Sequence, residues 1–150
     1  MKFKGEYTLP PTSTFASIDP TAVSVQLITE DKTNTPIFDV VLPTTAFAGI
    51  GSAGWQLNGN ATKWRSRDKT GSPQNGVISV SIFDRSAKSP GRVQLKIRGR
   101  DGSYPVELGD DPVQLLVFLG DDTEGGCAET TFTADDCRFV KVQTSLICKR

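Results

Sequence analysis

The sequence predicts an all-β protein, an antiparallel β-sandwich of about ten short strands, with a β-barrel as the alternative. Apolar and polar residues alternate in short runs, and Gly, Pro, Asn and Asp separate these runs about every 8–12 residues. No stretch keeps helical periodicity long enough to form a packed helix. A chain of 150 residues is long enough to bury a core as one domain.

The N-terminal segment is predicted to form a strand followed by an irregular lead-in. Residues 2–9 alternate between apolar and polar, and Pro10 and Pro11 then interrupt regular structure. We expect residues 1–17 to form an N-terminal edge strand and a Pro/Thr/Ser-rich lead-in, and residues 18–150 to form a single β-sandwich domain.

A β-hairpin is predicted next. Its strands are residues 22–30 and 36–42, and the polar residues 31–35 form the turn between them.

The central stretch, residues 54–106, contains four alternating runs. Successive strand residues point to opposite faces, so one side of each run is expected to join the core. Both tryptophans share a face with apolar or small neighbours and are therefore expected in the core. The residues expected to face inward are Trp55, Leu57, Trp64, Ile78, Val80, Ile82, Val93, Leu95 and Ile97.

The last third of the chain supplies the remaining strands. Residues 113–119 are almost all apolar, which is typical of a strand at the centre of a sandwich. Residues 127–133 and 138–143 predict two more strands, and residues 146–148 a short final one.

Cations alternate along two of the central runs and define a candidate ligand face. If the two strands were neighbours, their outer side would attract phosphate, sulfate or an acidic polysaccharide. The alternative is a solvated outer face that discourages pairing between sheet edges. Tyr104 lies in a turn and is expected to be exposed near these cations. The candidate residues are Lys63, Arg65, Arg67, Arg92, Lys96, Arg98 and Tyr104.

Three cysteines, Cys127, Cys137 and Cys148, predict one disulfide, and therefore an oxidising compartment, with one thiol left over. Their spacing matches no zinc motif. The local pairings are Cys127–Cys137 and Cys137–Cys148. We slightly favour the first, because a short turn joins the two strands.

The chain contains no histidine, which excludes Ser-His-Asp triads, Cys-His dyads and the common zinc and iron sites. The acidic loops at residues 110–111, 121–124 and 135–136 match no calcium signature. We therefore predict no cofactor, no metal and no catalytic residues. A small hydrolase that uses two carboxylates is a minor alternative.

Several pieces of the chain form a recognisable set: residues 18–20, Gly54-Trp55, residues 98–106, residues 127–132, Cys137 and Cys148-Lys149. Together they resemble a β-rich repeat or terminal domain found in large, uncharacterised secreted proteins of environmental, myxobacteria-like bacteria. The resemblance covers about residues 18–150. It implies export and β architecture, and it implies no catalytic residue. Ala128 stands where that domain usually has glycine.

These observations predict a non-enzymatic structural or adhesive module, extracellular or on a bacterial cell surface, that self-assembles or joins a larger assembly. The alternative is a module that binds carbohydrate or a polyanion. The expected partners are proteins, further copies of the chain, or a polysaccharide. Nucleic acid is not expected, because Lys plus Arg equals Asp plus Glu at 17 each and no exposed aromatics alternate with the cations. No run is long enough to span a membrane, and the N-terminus lacks a signal sequence, so we expect a processed form or a segment.

Overall fold

The computed structural model describes residues 1–102, 104, 112–119, 126–140 and 145–150. These residues contain eleven strands and two short 3-10 turns, Phe15–Ser17 and Gln74–Gly76. The strands are β1 (Lys2–Thr8), β2 (Val25–Glu30), β3 (Pro36–Leu42), β4 (Ala53–Leu57), β5 (Lys63–Asp68), β6 (Val77–Asp84), β7 (Arg92–Gly99), β8 (Val113–Leu119), β9 (Gly126–Phe132), β10 (Cys137–Val140) and β11 (Ser145–Lys149).

The strands form two open sheets, which confirms the predicted sandwich over the barrel. One sheet has seven strands in the order β10-β11-β1-β7-β6-β5-β4, and the other has four in the order β3-β2-β8-β9. Neighbouring strands run antiparallel except β1 and β11, which are parallel.

The core lies between the sheets, where the inward residues of each strand meet. Three aromatic rings connect the two layers at one position. The ring of Phe3 in β1 lies 6.1 Å from that of Phe38 in β3 and 5.7 Å from that of Phe132 in β9, measured between centroids. All three side chains are buried. Their contact joins both edges of the smaller sheet to the middle of the larger one.

Strand β1 is an interior strand, so the expectation of an edge strand is wrong. It pairs along its whole length with β7 on one side, and its residues 2–4 pair with β11 on the other. The partner β11 comes from the far end of the chain, which local alternation cannot reveal. Residues 2–8 are therefore part of the sandwich.

Strand β6 contains a β-bulge that changes which of its side chains face the core. Val77 pairs with Gly99, whereas Ser79 pairs with Arg98, so Ile78 is the extra residue. Val77 is consequently buried and Ile78 only half-buried. The expectation that Ile78 faces inward is wrong, because one inserted residue shifts the alternation.

The disulfide joins Cys137 to Cys148, so the preference for Cys127–Cys137 is wrong. Cys137 and Cys148 lie directly opposite each other on β10 and β11, and their Cα atoms are 4.1 Å apart. Cys127 is an exposed free thiol on β9, in the other sheet. Sequence separation alone could not decide between partners on different sheets.

The larger sheet has three more strands than the smaller one, and the connection between β3 and β4 pairs with the outer edge of β4. The Trp55 amide donates to the Thr45 carbonyl at 2.8 Å, and the Phe47 amide donates to the Trp55 carbonyl at 2.9 Å. Trp55 is 1% exposed, which confirms its expected place in the core. Trp64, on the same face of β5, is half-buried against the core.

Candidate functional site

The outer side of the seven-stranded sheet is densely basic. Its outward strand cations other than Arg92, which pairs with Glu6, come from five strands, and we call them the basic face. Glu6 is the acidic residue on the same side. The basic face consists of Lys2, Lys4, Lys63, Arg65, Arg67, Lys96, Arg98, Arg138 and Lys149.

Strand register arranges eight of these cations in two rows across the strands. Neighbouring strands lie about 4.8 Å apart, so successive cations within a row are about 5–10 Å apart. Each row contains four cations. The first row runs through Arg65, Ser81, Lys96, Lys4 and Lys149. The second row runs through Arg67, Ser79, Arg98, Lys2, Ile147 and Arg138.

Like charges are directly opposed at three positions on this face. Lys4 pairs with Lys96 on one side and with Lys149 on the other, and Lys2 pairs with Arg98. Directly opposed like charges destabilise a sheet. Burial lowers the pKa of Lys96, and the positive charges of Lys4 and other neighbouring cations lower it further. The fold therefore holds repelling cations together.

Ion pairing within the described residues does not neutralise this face. Two salt bridges are present there, between Arg92 and Glu6 at 3.2 Å and between Arg100 and Asp101 at 3.3 Å. Neither includes a residue of the basic face. Burial lowers the pKa of Arg65, and the charges of Arg67 and Arg98 add to that effect.

Phe83 provides an aromatic ring among the cations. The Nζ atoms of Lys96 and Lys63 lie 4.6 Å and 5.1 Å from its ring centroid, and the Cζ atom of Arg85 lies 5.4 Å away. The negative ring faces attract cations, so Phe83 helps to hold three of them close together. The ring faces are thereby occupied.

A hydrogen-bonded network borders the basic face. Arg85 donates to the side-chain carbonyl of Gln94 at 3.0 Å, and the Gln94 amide donates to the Glu6 carboxylate at 2.8 Å. Glu6 also pairs with Arg92. Arg92, which was predicted to belong to the ligand face, is therefore already paired.

The structure brings together five of the predicted ligand-face residues, although their strands are not direct neighbours. Strand β6 separates β5 from β7 and contributes the small side chains of Ser79 and Ser81 between the cations. The five residues are Lys63, Arg65, Arg67, Lys96 and Arg98.

Sequence reasoning missed four further cations, Lys2, Lys4, Arg138 and Lys149. The alternation of Lys2 and Lys4 with apolar residues was a usable signal that they share one face. It did not indicate that β1 would lie beside β7.

Tyr104 does not belong to the basic face, and the expectation that it is exposed is wrong. Its hydroxyl donates to the Asn75 carbonyl at 2.7 Å, and its ring meets that of Phe38 edge-on at 6.2 Å. The residue is half-buried against the core, and burial raises its pKa. With both tryptophans on the core side, these three aromatics offer no stacking platform beside the cations.

The opposite outer face, on the four-stranded sheet, is acidic, and we call it the acidic face. Asp39, Ile28, Leu116 and Glu129 form one row across it, and Glu30 lies on the same side. The charged side chains of the described strand residues on this face are all acidic. A net charge of zero therefore conceals a separation of charge between the two outer faces.

Among the residues placed by the structure, no group of three or more His, Cys, Asp or Glu side chains could hold a metal ion. Asp136 accepts hydrogen bonds from the Thr133 amide and hydroxyl and so stabilises a turn. The acidic loops at 110–111 and 121–124 lie outside the described residues.

No helix in the described part of the chain is long and apolar enough to cross a membrane.

Comparison with known proteins adds no family: no family model, curated protein or solved structure matches the chain. The resemblance to secreted bacterial β-rich domains therefore stays a prediction.

Proposed function

We propose that this chain is a non-enzymatic adhesive module that acts outside the cell or at its surface and binds an anionic polysaccharide through the basic face. The observation that carries this proposal is the arrangement of eight cations in two rows. Three pairs of these cations are directly opposed, and none forms an ion pair with a described carboxylate. A polymer with regularly spaced negative groups would neutralise these cations and so reduce the repulsion between them in the folded protein.

The disulfide favours a ligand that occurs outside the cell. Disulfides persist in oxidising compartments, where sulfated and carboxylated polysaccharides supply polymeric negative charge. Binding of single-stranded nucleic acid normally uses free aromatic faces for base stacking. The faces of Phe83 already contact Lys63, Arg85 and Lys96. This arrangement favours a polysaccharide over nucleic acid.

The shape of the face supports adhesion to an extended polymer. Seven hydrogen-bonded strands span about 30 Å, which is wide enough to contact several repeating units at once. Many weak charge contacts over a broad face produce an affinity that depends strongly on salt. This surface suits attachment to a matrix better than capture of one small molecule.

Dextran sulfate and unmodified dextran of equal length provide a direct test, because they differ only in charge. We expect dextran sulfate to bind at about 50 mM NaCl and to lose at least tenfold in affinity by about 200 mM. Unmodified dextran should not bind to the basic face. Absence of dextran sulfate binding at the lower salt concentration would overturn the proposal.

A pair of double variants tests where the polymer binds. Lys4→Gln with Lys96→Gln removes two charges from the basic face, whereas Lys32→Gln with Lys88→Gln removes two exposed charges from turns elsewhere. We expect the first pair to weaken binding about tenfold or more and the second to change it less than twofold, since counterion release depends on local contacts. Equal losses would show that only the total charge matters.

Self-assembly is a second candidate function, favoured by the separation of charge. The acidic face contains apolar Ile28 and Leu116 between Asp39 and Glu129, and the basic face lies on the other side of the sandwich. Contact between opposite faces of successive copies would repeat without closing. Light scattering should then show assemblies at low salt that dissociate at high salt and with Glu129→Gln. A monomer under all conditions would exclude this function.

A further inference from the structure

A cleft of about 530 Å3 opens where the larger sheet extends past the smaller one. One wall is the end of β3 and the residues that follow it, and the other is the inner side of β5 and β6. The connection pairs with the edge of β4 at Trp55, whereas Ser66 and Asp68 of β5 line the cleft. The volume lies within the usual range for small-molecule sites, about 300–1,000 Å3.

The cleft has an apolar floor. Leu42 and Val77 reach it from opposite sheets, and Val80 and Pro43 extend it. Leu42, Val77 and Val80 also belong to the buried core, so the floor is continuous with a packed interior. A rigid floor of this kind holds a ligand at low entropic cost.

Uncharged polar side chains surround this floor. They combine hydroxyl groups, which both donate and accept hydrogen bonds, with one amide. No described lysine or arginine lines the cleft. The polar residues include Ser24, Thr44, Ser66, Thr70, Ser72 and Gln74.

Ser66 is the most informative of these residues. It is 4% exposed, faces inward from β5 and lies directly opposite Trp55. Ser66 lines the cleft, so its hydroxyl is placed to donate and to accept a hydrogen bond there.

The described lining of the cleft contains no cation to hold an anion. Its one carboxylate, Asp68, accepts hydrogen bonds from the amide and the hydroxyl of Thr70 at 2.9 Å and 2.6 Å on a single oxygen, Oδ1. A sugar ring has an apolar C–H face and a hydroxyl edge, which match an aliphatic floor with a hydroxyl border. We propose that this cleft binds one uncharged sugar unit.

This site goes beyond the proposed polyanion binding and is independent of it. Along β5, Arg65 and Arg67 point to the basic face while Ser66 and Asp68 line the cleft. The two sites thus share a strand but open on opposite sides of the sheet. Sugar binding in the cleft should not depend on salt, whereas polyanion binding should.

Isothermal titration calorimetry measures binding in this cleft, because neither Trp55 nor Trp64 lines it. The probes are the methyl glycosides of glucose, galactose, mannose, xylose and N-acetylglucosamine, titrated at low and at high NaCl. We expect a saturable heat of binding with at least one glycoside and the same affinity at both salt concentrations. No saturable response to any probe would overturn the proposal, as would loss of binding at high salt.

Single substitutions test whether the sugar binds in the cleft. Ser66→Ala should weaken binding several-fold, and Gln74→Ala, at an exposed position on the rim, gives a second test that does not disturb the core. Ser81→Ala is the matched control, because Ser81 is also a buried strand serine but lies among the cations of the other face. Unchanged affinity in both cleft variants would place the sugar elsewhere and overturn the proposal.

Discussion

Lys4 and Lys96 lie directly opposite each other on neighbouring antiparallel strands in the middle of the seven-stranded sheet. Both are half-buried, and the charge of Lys4 is one of the causes that lower the pKa of Lys96, after burial. A lowered pKa in a base means that folding disfavours its charged form. The protein thus holds this pair at the expense of stability, as is common where a surface serves binding.

Replacing Lys4 with glutamine should stabilise the protein while weakening polyanion binding. Removal of one directly opposed charge is expected to raise the free energy of unfolding by about 0.2–1 kcal/mol at low salt, and by less at high salt because the repulsion is then screened. Urea unfolding at two salt concentrations measures this change. Lys88→Gln, in an exposed turn, is the control and should be neutral. A destabilised Lys4→Gln variant would contradict this account of the face.

Replacing Tyr7 with phenylalanine should remove a loss of stability at alkaline pH. The Tyr7 hydroxyl is buried without a partner, and burial raises its pKa above the ordinary 10.0. The folded state therefore keeps the proton that the unfolded chain releases above pH 10, so stability is complete below this value and falls as the pH rises beyond it. Thermal unfolding between pH 8 and pH 11 should show the fall in the wild type and a smaller one in Tyr7→Phe. Identical pH profiles would refute this role for Tyr7.

Loss of the Cys137–Cys148 disulfide should destabilise the protein. The cysteines are 11 residues apart, and a loop of this size contributes about 3 kcal/mol in the chain-entropy model. Urea unfolding of Cys137→Ala should show this loss, and Cys127→Ala, which removes the exposed free thiol, should unfold like the wild type. The native protein should also react with one equivalent of iodoacetamide. Equal stability of the two variants would be incompatible with this pairing.

Replacing Gly54 with alanine should disturb the connection between β3 and β4, which pairs with Trp55. A Cβ atom at Gly54 would lie 2.5 Å from the Thr45 carbonyl oxygen and 2.7 Å from the Ala46 carbonyl carbon. The backbone would have to shift, and such overpacking costs about 1–3 kcal/mol. Gly59→Ala is the control, because nothing lies within 4 Å of a Cβ atom there. Differential scanning calorimetry should show a lower Tm for Gly54→Ala than for Gly59→Ala.

Several elements were predictable because they depend on local alternation. Residues 36–42 and 113–119 form strands over the predicted ranges, and Trp55 is buried on the predicted face. The outward direction of Arg65 and Lys96 follows from the same rule. The sequence by itself therefore determined the β class, most strand positions and the basic side of the individual strands.

Tertiary structure decided which strands became neighbours. The antiparallel pairing of β1 with β7 placed Lys2 and Lys4 among the cations of β7, and the pairing of β10 with β11 selected the disulfide. The bulge at Ile78 and the burial of Tyr104 also depended on contacts between distant segments. Alternation specifies on which side of a strand a residue lies, but the packing of two whole sheets specifies the strand beside it. For that reason the continuous basic face and the cleft beside Ser66 exist only in the folded chain.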